Sequence, residues 1–449
     1  MKKTIATLTA ALLCLALLGG CGGEAIEQPK PADTIANANA SEAISGNTTE
    51  NTSTSQTTRQ QQEAIPMPTQ KFGTPAEGAN DFAFRLSKAL LRSAGEENFV
   101  SSPYSVWLPL AALVNATNAA QRPALLGALG AASFNAKEVN DAAAQMLREL
   151  TNERSREYGK EYYYNPLRIA NAVFVGKDVT LNKNFGKTFA DSFNGSFQSV
   201  DFLAPSAVKA VNDWASKNTE GLIQEIVQQF DPQTVAAIAN AIYFSDRWDW
   251  EFSPEQTRKD TFHGTKGDAD AFFMLREGDE LTYYEDGKLQ AMPLSFKTGG
   301  EMVILLPKDG DAVSLLSGMT TTYFEKIQKN STRATGKLLL PRFKIDSGVM
   351  DLAPALTALG VPLFDPQAAP LSGLVKENIP VWLSGAVQKA VIEVDEKGTT
   401  AAAVTVMMMC GAALPQPTKP FSMVCDKPFA FILCGQGGQI LFTGVVNRV

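Results

Sequence analysis

The chain has 449 residues, of which 45% are hydrophobic and 19% charged, so it has apolar material for a large core and enough length for two or three domains. Its net charge of −7 argues against nucleic acid as a partner, because phosphate binding needs a basic surface. His263 is the single histidine, which excludes a multi-histidine metal site and leaves any Ser-His or Cys-His mechanism dependent on that one residue.

The first twenty residues have the pattern of an export signal. A basic start, Met1-Lys2-Lys3, is followed by a mostly apolar stretch that ends in Leu18-Gly19-Gly20, directly before Cys21. This arrangement resembles a bacterial lipoprotein signal, which implies that residues 1–20 are removed and that Cys21 carries the lipid. The alternative is a plain signal peptide with a chance cysteine. We therefore expect this segment to be an address and not part of the fold.

Residues 21–70 are predicted to be a lipidated N-terminus followed by a disordered tether. Ala, Asn, Ser, Thr and Gln dominate them, and such a segment buries too little apolar surface to offset its ordering entropy. A flexible chain of about 50 residues spans on the order of 40 Å. No later stretch reaches the roughly 20 apolar residues that cross a bilayer. We expect a lipid-anchored protein of the cell envelope, and Gly22 favours the outer membrane or the cell surface.

Residues 71–449 are predicted to form one large domain, because no linker-like stretch divides them. Helical patterns occupy residues 80–93, 105–118 and 207–226; the second is apolar nearly all round, and the third has Trp214 on its inner side. Strand-like runs occupy residues 237–244, 302–306, 337–341, 429–433 and 440–444, and the last two flank a glycine-rich turn. Helices cluster early and strands late, which predicts the α+β class with large mixed sheets.

Several stretches of this domain, taken in order, resemble signature segments of the serpin family. They are residues 98–105 (NFVSSPYS), 240–244 (NAIYF) with Arg247-Trp248, 340–343 (LPRF), 396–399 (EKGT), 427–431 (KPFAF) and 442–444 (FTG). The resemblance runs from about residue 72 to the end of the chain. It implies the serpin fold of three β-sheets and eight to nine helices, with an exposed C-terminal reactive loop at about residues 396–420.

The segment 398–418 is unusual on its own residues. Its sequence, GTTAAAVTVMMMCGAALPQPT, carries no charge, and on composition alone a buried core strand is the simpler interpretation. The segment is far longer than a typical strand of about 5–6 residues, and it begins with small residues that hold no buried position well. A segment that is exposed first and joins a sheet later needs this composition. From Gly398 to Ala412 it would make a strand roughly 50 Å long.

The resemblance implies a mechanism for this loop. A serine protease, or sometimes a cysteine protease, cleaves the loop and is held as an acyl-enzyme while the cut loop enters the main sheet as a new central strand. The target supplies the catalysis, so we expect no enzyme activity, catalytic residue, cofactor or metal in this chain, which is expected to be a monomer. The alternatives are a non-inhibitory serpin that binds a ligand or partner, and a surface lipoprotein with a structural or adhesive role.

The resemblance also indicates where the loop is cut. Seventeen residues counted from Glu396 put the scissile bond at Ala412-Ala413, whereas counting back from Pro428 puts it about five residues later. We prefer the first count, because the inserted length sets the mechanism. An alanine at the cut suits elastase-like or subtilisin-like proteases with small apolar pockets, and the absence of Arg and Lys from 398 to 418 disfavours trypsin-like targets.

Other positions are carried over from the family residue by residue. Ser102 and Ser105 match the shutter, the part of the main sheet that must open, although Ser102 also suits a helix N-cap. Asn240 matches the shutter asparagine, and Trp248 matches the tryptophan where the loop first enters. Gln388 stands where serpins usually have a histidine bonded to that asparagine, so we expect the network to survive without its pH response. The hinge of the loop is expected at Glu396, Gly398, Thr399, Ala401, Ala402, Ala403 and Thr405.

Three cysteines remain besides Cys21 once the leader is removed. Cys425 and Cys434 fall in strand-like runs and are expected to be buried thiols. Cys410 lies on the predicted loop, where its thiol can be oxidised or can form a disulfide with another chain. His263 is expected to be a satisfied turn histidine.

Overall fold

The computed structural model describes residues 9–19, 63–68, 70–151, 167–399 and 420–449, and of residues 9–19 the backbone alone. Within these residues the α+β prediction is confirmed. Numbered along the chain, the strands are β1 (Thr9–Gly19), β2 (Phe99–Ser101), β3 (Leu167–Gly176), β4 (Gly195–Val200), β5 (Thr234–Phe244), β6 (Arg258–Gly264), β7 (Gly267–Glu285), β8 (Leu289–Ser295), β9 (Glu301–Pro307), β10 (Thr332–Pro341), β11 (Phe343–Asp351), β12 (Val381–Val394), β13 (Phe421–Val424), β14 (Phe429–Cys434) and β15 (Ile440–Val446).

The described residues also form nine α-helices and two short 3-10 helices, the latter at Pro254–Gln256 and Pro366–Ala368. The α-helices are α1 (Pro75–Leu91), α2 (Pro103–Leu113), α3 (Arg122–Ala128), α4 (Ala136–Thr151), α5 (Lys183–Phe193), α6 (Pro205–Asn218), α7 (Ala312–Ser317), α8 (Thr321–Asn330) and α9 (Ala353–Ala358).

The described strands form three sheets. The main sheet has six strands in the order β11-β12-β1-β5-β3-β4. The other strands follow one path, β13-β10-β7-β8-β9-β14-β15-β2, with β6 beside β7. The long strand β7 pairs with β6 and β10 along most of its length and with β8 at its end, so it links a second sheet to a third. The predicted hairpin near the C-terminus is the antiparallel pair β14 and β15.

Helix α2 lies in the core, as its sequence predicts. All of its residues are buried, and the indole Nε1 of Trp107 donates a hydrogen bond to the carbonyl oxygen of Leu129 at 3.1 Å. This bond satisfies the one polar atom of a side chain that is otherwise surrounded by apolar groups. Helix α2 packs against β5 of the main sheet, so it positions the serines in and just before its first turn.

Two predicted helices have different ends in the structure. Helix α1 begins at Pro75 and not at residue 80, because the side chain of Thr74 accepts the backbone N–H of Glu77 and acts as the N-cap. Helix α6 ends at Asn218, short of residue 226, since Glu220 and Gly221 have left-handed backbone angles (φ 52° and 81°) that a helix cannot continue through.

The end of the predicted tether is packed onto the domain. Ile65 is buried, and its backbone N–H donates to the carbonyl oxygen of Ala358 at 2.8 Å. The Arg92 guanidinium donates to the carbonyl oxygen of Glu63 at 2.5 Å. The folded part therefore includes residues 63–68, earlier than the boundary at residue 71 that composition suggested. The greater part of the tether lies outside the described residues.

The apolar N-terminal segment forms a strand of the main sheet. Strand β1 pairs antiparallel with β5 on one side and with β12 on the other. Residues 9–19 thus lie in the main sheet of the full chain, and the removal of residues 1–20 as an export signal remains a prediction. The sequence pattern could not distinguish a cleaved leader from a strand of the sheet, because a leader and a fully buried strand are both uninterrupted apolar runs.

Candidate functional site

The hinge is a tight turn at the end of β12. Asp395 and Gly398 exchange backbone hydrogen bonds of 3.1 and 3.3 Å, which leaves Glu396 and Lys397 as the two turn residues. Gly398 has φ +136°, and a Cβ added there would lie 2.2 Å from the carbonyl oxygen of Asp246. Only glycine fits, because the backbone angle and the close approach both exclude a side chain.

The hinge is bonded to the segment that follows β5. The backbone N–H of Thr399 donates to the carbonyl oxygen of Asp246 at 2.8 Å, and the backbone N–H of Asp246 donates to Oγ1 of Thr399 at 2.9 Å. The backbone N–H of Trp248 donates to the carbonyl oxygen of Lys397 at 2.9 Å. Thr399 is 1% exposed. The chain thus points from β12 toward β5 at one end of the main sheet.

The side chain of Glu396 anchors the turn to Arg342 and Thr257. Its Oε1 accepts hydrogen bonds from Nε and Nη2 of Arg342, at 2.9 and 2.5 Å, and from Oγ1 of Thr257 at 2.6 Å. Burial opposes ionisation of this carboxyl, but the hydrogen bonds from Arg342 and Thr257 outweigh it and lower the pKa of Glu396. Glu396 is therefore a carboxylate held by charge-assisted bonds.

Asp246 is the second buried carboxyl beside the hinge. Its carboxylate accepts the backbone N–H of Arg247 at 2.7 Å and both the backbone N–H, at 3.2 Å, and the hydroxyl of Thr298. Burial raises the pKa of Asp246 to about 6, although these hydrogen bonds and the nearby Lys297 ammonium lower it in part. The charge of this residue therefore changes near neutral pH.

Trp248 forms the apolar floor of the same region. It is fully buried, stacks on Phe296 with ring centroids 4.6 Å apart, and meets Phe252 edge-on at 6.4 Å. Its Nε1 donates to the carbonyl oxygen of Asp395 at 3.0 Å. We call this end of the sheet the breach, after its residues Asp246, Trp248, Arg342, Glu396 and Thr399.

Two polar groups lie at mid-sheet, and together they are the shutter: Ser101, Ser102, Ser105, Asn171, Asn240 and Gln388. In the first group, Oγ of Ser105 donates to Oδ1 of Asn240 at 2.6 Å, and Nδ2 of Asn240 donates to Oδ1 of Asn171 at 2.7 Å. Nδ2 of Asn171 in turn donates to the carbonyl oxygen of Phe193 at 2.6 Å. This chain of neutral hydrogen bonds joins α2, β5 and β3.

The second shutter group surrounds Gln388. Its Oε1 accepts from Oγ of Ser101 at 2.8 Å and from the backbone N–H of Ser102 at 3.1 Å, and its Nε2 donates to the carbonyl oxygen of Ser102 at 2.9 Å. Ser102 does not cap α2 with its side chain, because its Oγ donates to the carbonyl oxygen of Leu441 at 2.7 Å.

The expected bond between Gln388 and Asn240 is not formed between these described residues. Both residues lie opposite Leu13, one on each side of β1. The inserted strand therefore separates the two halves of the shutter. The prediction that glutamine preserves the network is wrong for this state of the sheet, and Gln388 instead satisfies its amide on Ser101 and Ser102.

Other predicted site residues fall outside the described part of the chain. They are Cys21, Ala401, Ala402, Ala403, Thr405, Cys410, Ala412 and Ala413. The far end of the predicted loop is described: Phe421 begins β13, which pairs in parallel with β10. The loop is thus bounded by Thr399 in the breach and by Phe421 in the second sheet.

Sequence reasoning missed several of these residues. Asp246, Thr257 and Arg342 come to the hinge from separate segments of the chain, and the pairing of Arg342 with Glu396 crosses 54 positions. Arg342 stands in the serpin-like segment 340–343, and its positive charge, the only one in that segment, was the available signal. Asn171 and Ser101 gave no signal in the sequence alone.

The remaining predictions concern thiols, His263 and metals. Cys425 and Cys434 are buried free thiols, as predicted, and burial raises the pKa of each. His263 is exposed beside the β6–β7 turn, where its Nδ1 lies 2.8 Å from Oδ1 of Asp268. Among the described residues there is no group of three or more potential metal ligands. None of the described helices is long and apolar enough to cross a membrane.

The described part of the chain has a six-stranded main sheet. At one end of the position between β5 and β12, a hinge leads into the uncharged segment 400–418. The comparisons identify the class of protein to which this arrangement belongs. A family model described as Serpin (serine protease inhibitor) matches residues 77–449. The chain belongs to the serpin family, whose members are typically protease inhibitors and not catalysts.

Individual relatives cover most of the chain. Alpha-1-antitrypsin 1-1 of Mus musculus is 31% identical over 379 residues, covering 83% of this chain and 88% of that protein. An uncharacterized serpin-like protein of Thermococcus kodakarensis is 28% identical and covers 99% of this chain and 98% of its own. Among solved structures, native tengpin, a thermophilic serpin, superposes with a TM-score of 0.73 at 24% identity, over 86% of this chain and 97% of tengpin.

Serpin48 of the insect Tenebrio molitor superposes with a TM-score of 0.70 at 28% identity, over 84% of this chain and 98% of that protein. The predicted serpin fold, with its three sheets and nine described helices, is therefore confirmed.

Proposed function

We propose that the protein is an inhibitory serpin that traps serine proteases with small apolar specificity, elastase-like or subtilisin-like, as covalent acyl-enzymes. The loop is cut by the target and enters the main sheet between β5 and β12, carrying the protease with it. The protease supplies the nucleophile and the base. The chain itself supplies the substrate loop and a sheet that accepts it, and it works as a monomer without cofactor.

The single observation that carries this proposal is the hinge. Thr399 is buried and bonded to Asp246, so the loop already starts between β12 and the end of β5. A loop that left the surface elsewhere would first have to move its anchor. Once the position between β5 and β12 is empty, insertion only has to extend a pairing that has already begun, which avoids the entropy cost of first bringing the loop to the sheet.

The register of the hinge supports a defined inserted strand. Gly398 forms antiparallel bridges with Arg247 and with Asp395. If the chain continues in this register, Ala401 lies opposite Phe244, the last residue of the 11-residue strand β5. An inserted strand as long as β5 would then run to residue 411, next to the proposed cut at Ala412-Ala413.

The inserted residues favour the process energetically. No charge stands between residues 400 and 418, so no unpaired ion would be buried. Each inserted residue gains ladder hydrogen bonds worth about 0.5–1.5 kcal/mol apiece, in addition to apolar burial. Summed over about ten residues, these hydrogen bonds contribute on the order of 5–15 kcal/mol to insertion.

The direct test is incubation with elastase, subtilisin and trypsin. With elastase or subtilisin, we expect a covalent complex that survives denaturing gel electrophoresis. The released C-terminal peptide should have the mass of a fragment that starts at Ala413. Trypsin should form no such complex, since residues 398–418 hold no Arg or Lys. Cleavage by all three proteases without any stable complex would refute the inhibitory function.

We further propose that residues 1–20 are a lipoprotein signal and that Cys21 is lipidated, which holds the protein at the outer membrane or the cell surface. The apolar run before Cys21 and the polar composition of residues 22–62 support this location. Metabolic labelling with an azido fatty acid tests it: the protein should incorporate the label, and a Cys21→Ser variant should not. Label in the variant would contradict lipidation at this residue.

A further inference from the structure

Residues 9–19 occupy the position between β5 and β12 completely. Thr9 lies opposite Phe244 at one end of β5, and Leu13 lies opposite both Asn240 and Gln388 at mid-sheet. The far edges of β5 and β12 are already paired with β3 and β11. Since each backbone edge has one set of donors and acceptors, only one segment at a time can fill this position.

This strand follows the register that the hinge begins. Counted on from the bridges of Gly398, Ala402 would lie opposite Tyr243 on β5 and Val391 on β12. The structure has Ala10 opposite the same two residues. The agreement holds on both sides from Ala10 to Ala16, so this part of β1 lies where residues 402–408 would lie. Beyond it the register of β1 shifts, and Leu18 lies opposite Thr234 and Trp382, the partners expected for Gly411.

The two sequences are also alike in character. Residues 9–19 read TAALLCLALLG and residues 401–411 read AAAVTVMMMCG, each with no charge, small residues at the start and a glycine at the end. A central strand needs these properties, because it is paired at both edges and covered on both faces.

We propose that the N-terminal segment 9–19 is an intramolecular block: while it is attached, it holds the strand position that the reactive loop requires, and removal of the leader activates the protein. This inference rests on the proposed function, because it concerns the same strand position. The unprocessed chain is then a substrate of proteases and not an inhibitor, which keeps it inactive until export is complete.

The test compares two chains made by cell-free synthesis without membranes, so that no leader is cleaved and no lipid is added. One is the full chain, and the other starts at Cys21. With elastase, we expect the shorter chain to form complexes stable to denaturation and the full chain to form at least tenfold fewer, with its loop cut instead. Equal trapping by both chains would overturn the block.

A charged variant provides the matched control. Leu13→Arg in the full chain puts a cation at the centre of β1, between Asn240 and Gln388, and should expel the strand and restore trapping to the level of the shorter chain. Thr4→Arg adds the same charge outside β1 and should leave the full chain inactive. Failure of Leu13→Arg to restore trapping, although the shorter chain traps, would count against the block.

Hydrogen exchange separates this inference from the proposed function. In the full chain the backbone amides of residues 9–19 should exchange orders of magnitude more slowly than in the Leu13→Arg variant. Rapid exchange of these amides in the unmodified full chain overturns the block whatever the proteases do. If exchange is slow but the shorter chain traps no protease, the inhibitory function is refuted, and the blocking role is refuted with it. The slow exchange would still confirm that residues 9–19 occupy the sheet.

Discussion

The breach and the shutter are both polar clusters inside the main sheet, yet they are built from different chemistry. The breach relies on charge: Glu396 is held by Arg342, and Asp246 is buried with a pKa of about 6. The shutter uses amides and hydroxyls only, arranged around Asn240 and Gln388. Both must rearrange when a strand moves in or out.

This difference separates two tasks. Neutral hydrogen bonds can be exchanged for other neutral bonds at little net cost, as Gln388 does by bonding Ser101 and Ser102 when β1 is in place. A buried charge has no such alternative and fixes one geometry strongly. The breach therefore holds the hinge in place, and the shutter lets the sheet open. It follows that pH acts on the hinge and not on the middle of the sheet.

The largest expected effect comes from a charge at the first inserted residue. Thr399→Arg in the chain that starts at Cys21 should convert an inhibitor into a substrate. An unpaired guanidinium costs several kcal/mol to bury where Thr399 lies, so it should hold the start of the loop outside the sheet. Insertion competes with deacylation, and each roughly 1.4 kcal/mol on its barrier slows it about tenfold. Stable elastase complex should fall more than tenfold while the cut remains at the same bond.

The neutral control for this variant is Thr399→Val, which keeps the β-branched shape and loses only the two hydrogen bonds between the hydroxyl and the backbone of Asp246. It should retain most of the trapping. A Thr399→Arg protein that traps elastase as well as the parent would show that insertion does not start at this residue.

A smaller effect is expected from breaking the ion pair of the breach. Glu396→Gln should destabilise the protein by about 1–3 kcal/mol at pH 7.5, since it weakens charge-assisted bonds to Arg342 while leaving that cation partly exposed to water. The pKa of Glu396 is lowered by folding, so its contribution is present above the ordinary carboxyl pKa and is lost as pH falls through the lowered value.

Urea unfolding at pH 7.5 and at pH 4 measures this difference. Glu393→Gln is the matched control, because Glu393 pairs with the exposed Lys344 nearby and should contribute less than about 1 kcal/mol. If both substitutions lower the free energy of unfolding by the same amount, the ion pair of the breach contributes no more than an exposed pair does.

Asp246→Asn should show the opposite dependence on pH. Folding raises the pKa of Asp246, so the contribution of its protonated form is fully present below the ordinary carboxyl pKa and is lost as pH rises through about 6. The amide does not ionise, so the stability of the variant relative to the parent should rise by about 1–3 kcal/mol from pH 4 to pH 7.5. A gain that is the same at both pH values would mean that the charge of Asp246 is not involved.

The smallest effect is expected at the shutter. Gln388→His should add a stability loss of about 1 kcal/mol below pH 6, because a buried neutral imidazole must take up a proton when the chain unfolds. In the unmodified protein, residue 388 adds no such step. If the free energy of unfolding falls by the same amount in the parent and the variant from pH 8 to pH 5.5, the shutter is not a neutral cluster.

The sequence predicted the local parts of this picture better than the long-range ones. The buried helix α2, the strand β5 and the C-terminal hairpin follow from apolar runs and glycine turns. The family resemblance named Ser105 and Asn240 as shutter residues, but it did not indicate the hydrogen bond between them. The roles of Asp246 and Arg342 depend on segments that meet only after folding, so no local pattern indicates them.

The strand β1 illustrates a second limit. An export signal and a central strand need the same uninterrupted apolar residues, so composition cannot tell whether residues 9–19 are removed or folded into the sheet. The structure adds the register, which a sequence does not contain, and the register relates this segment to the reactive loop.

The central claim, that the main sheet takes up the cleaved loop as a strand, is tested most directly by melting. The chain that starts at Cys21 should be cut with elastase or subtilisin within residues 409–414 and compared with the uncut chain. We predict that cleavage raises the melting temperature by more than about 10 °C, because about ten residues gain ladder bonds in the position between β5 and β12. An unchanged melting temperature after complete cleavage would contradict insertion.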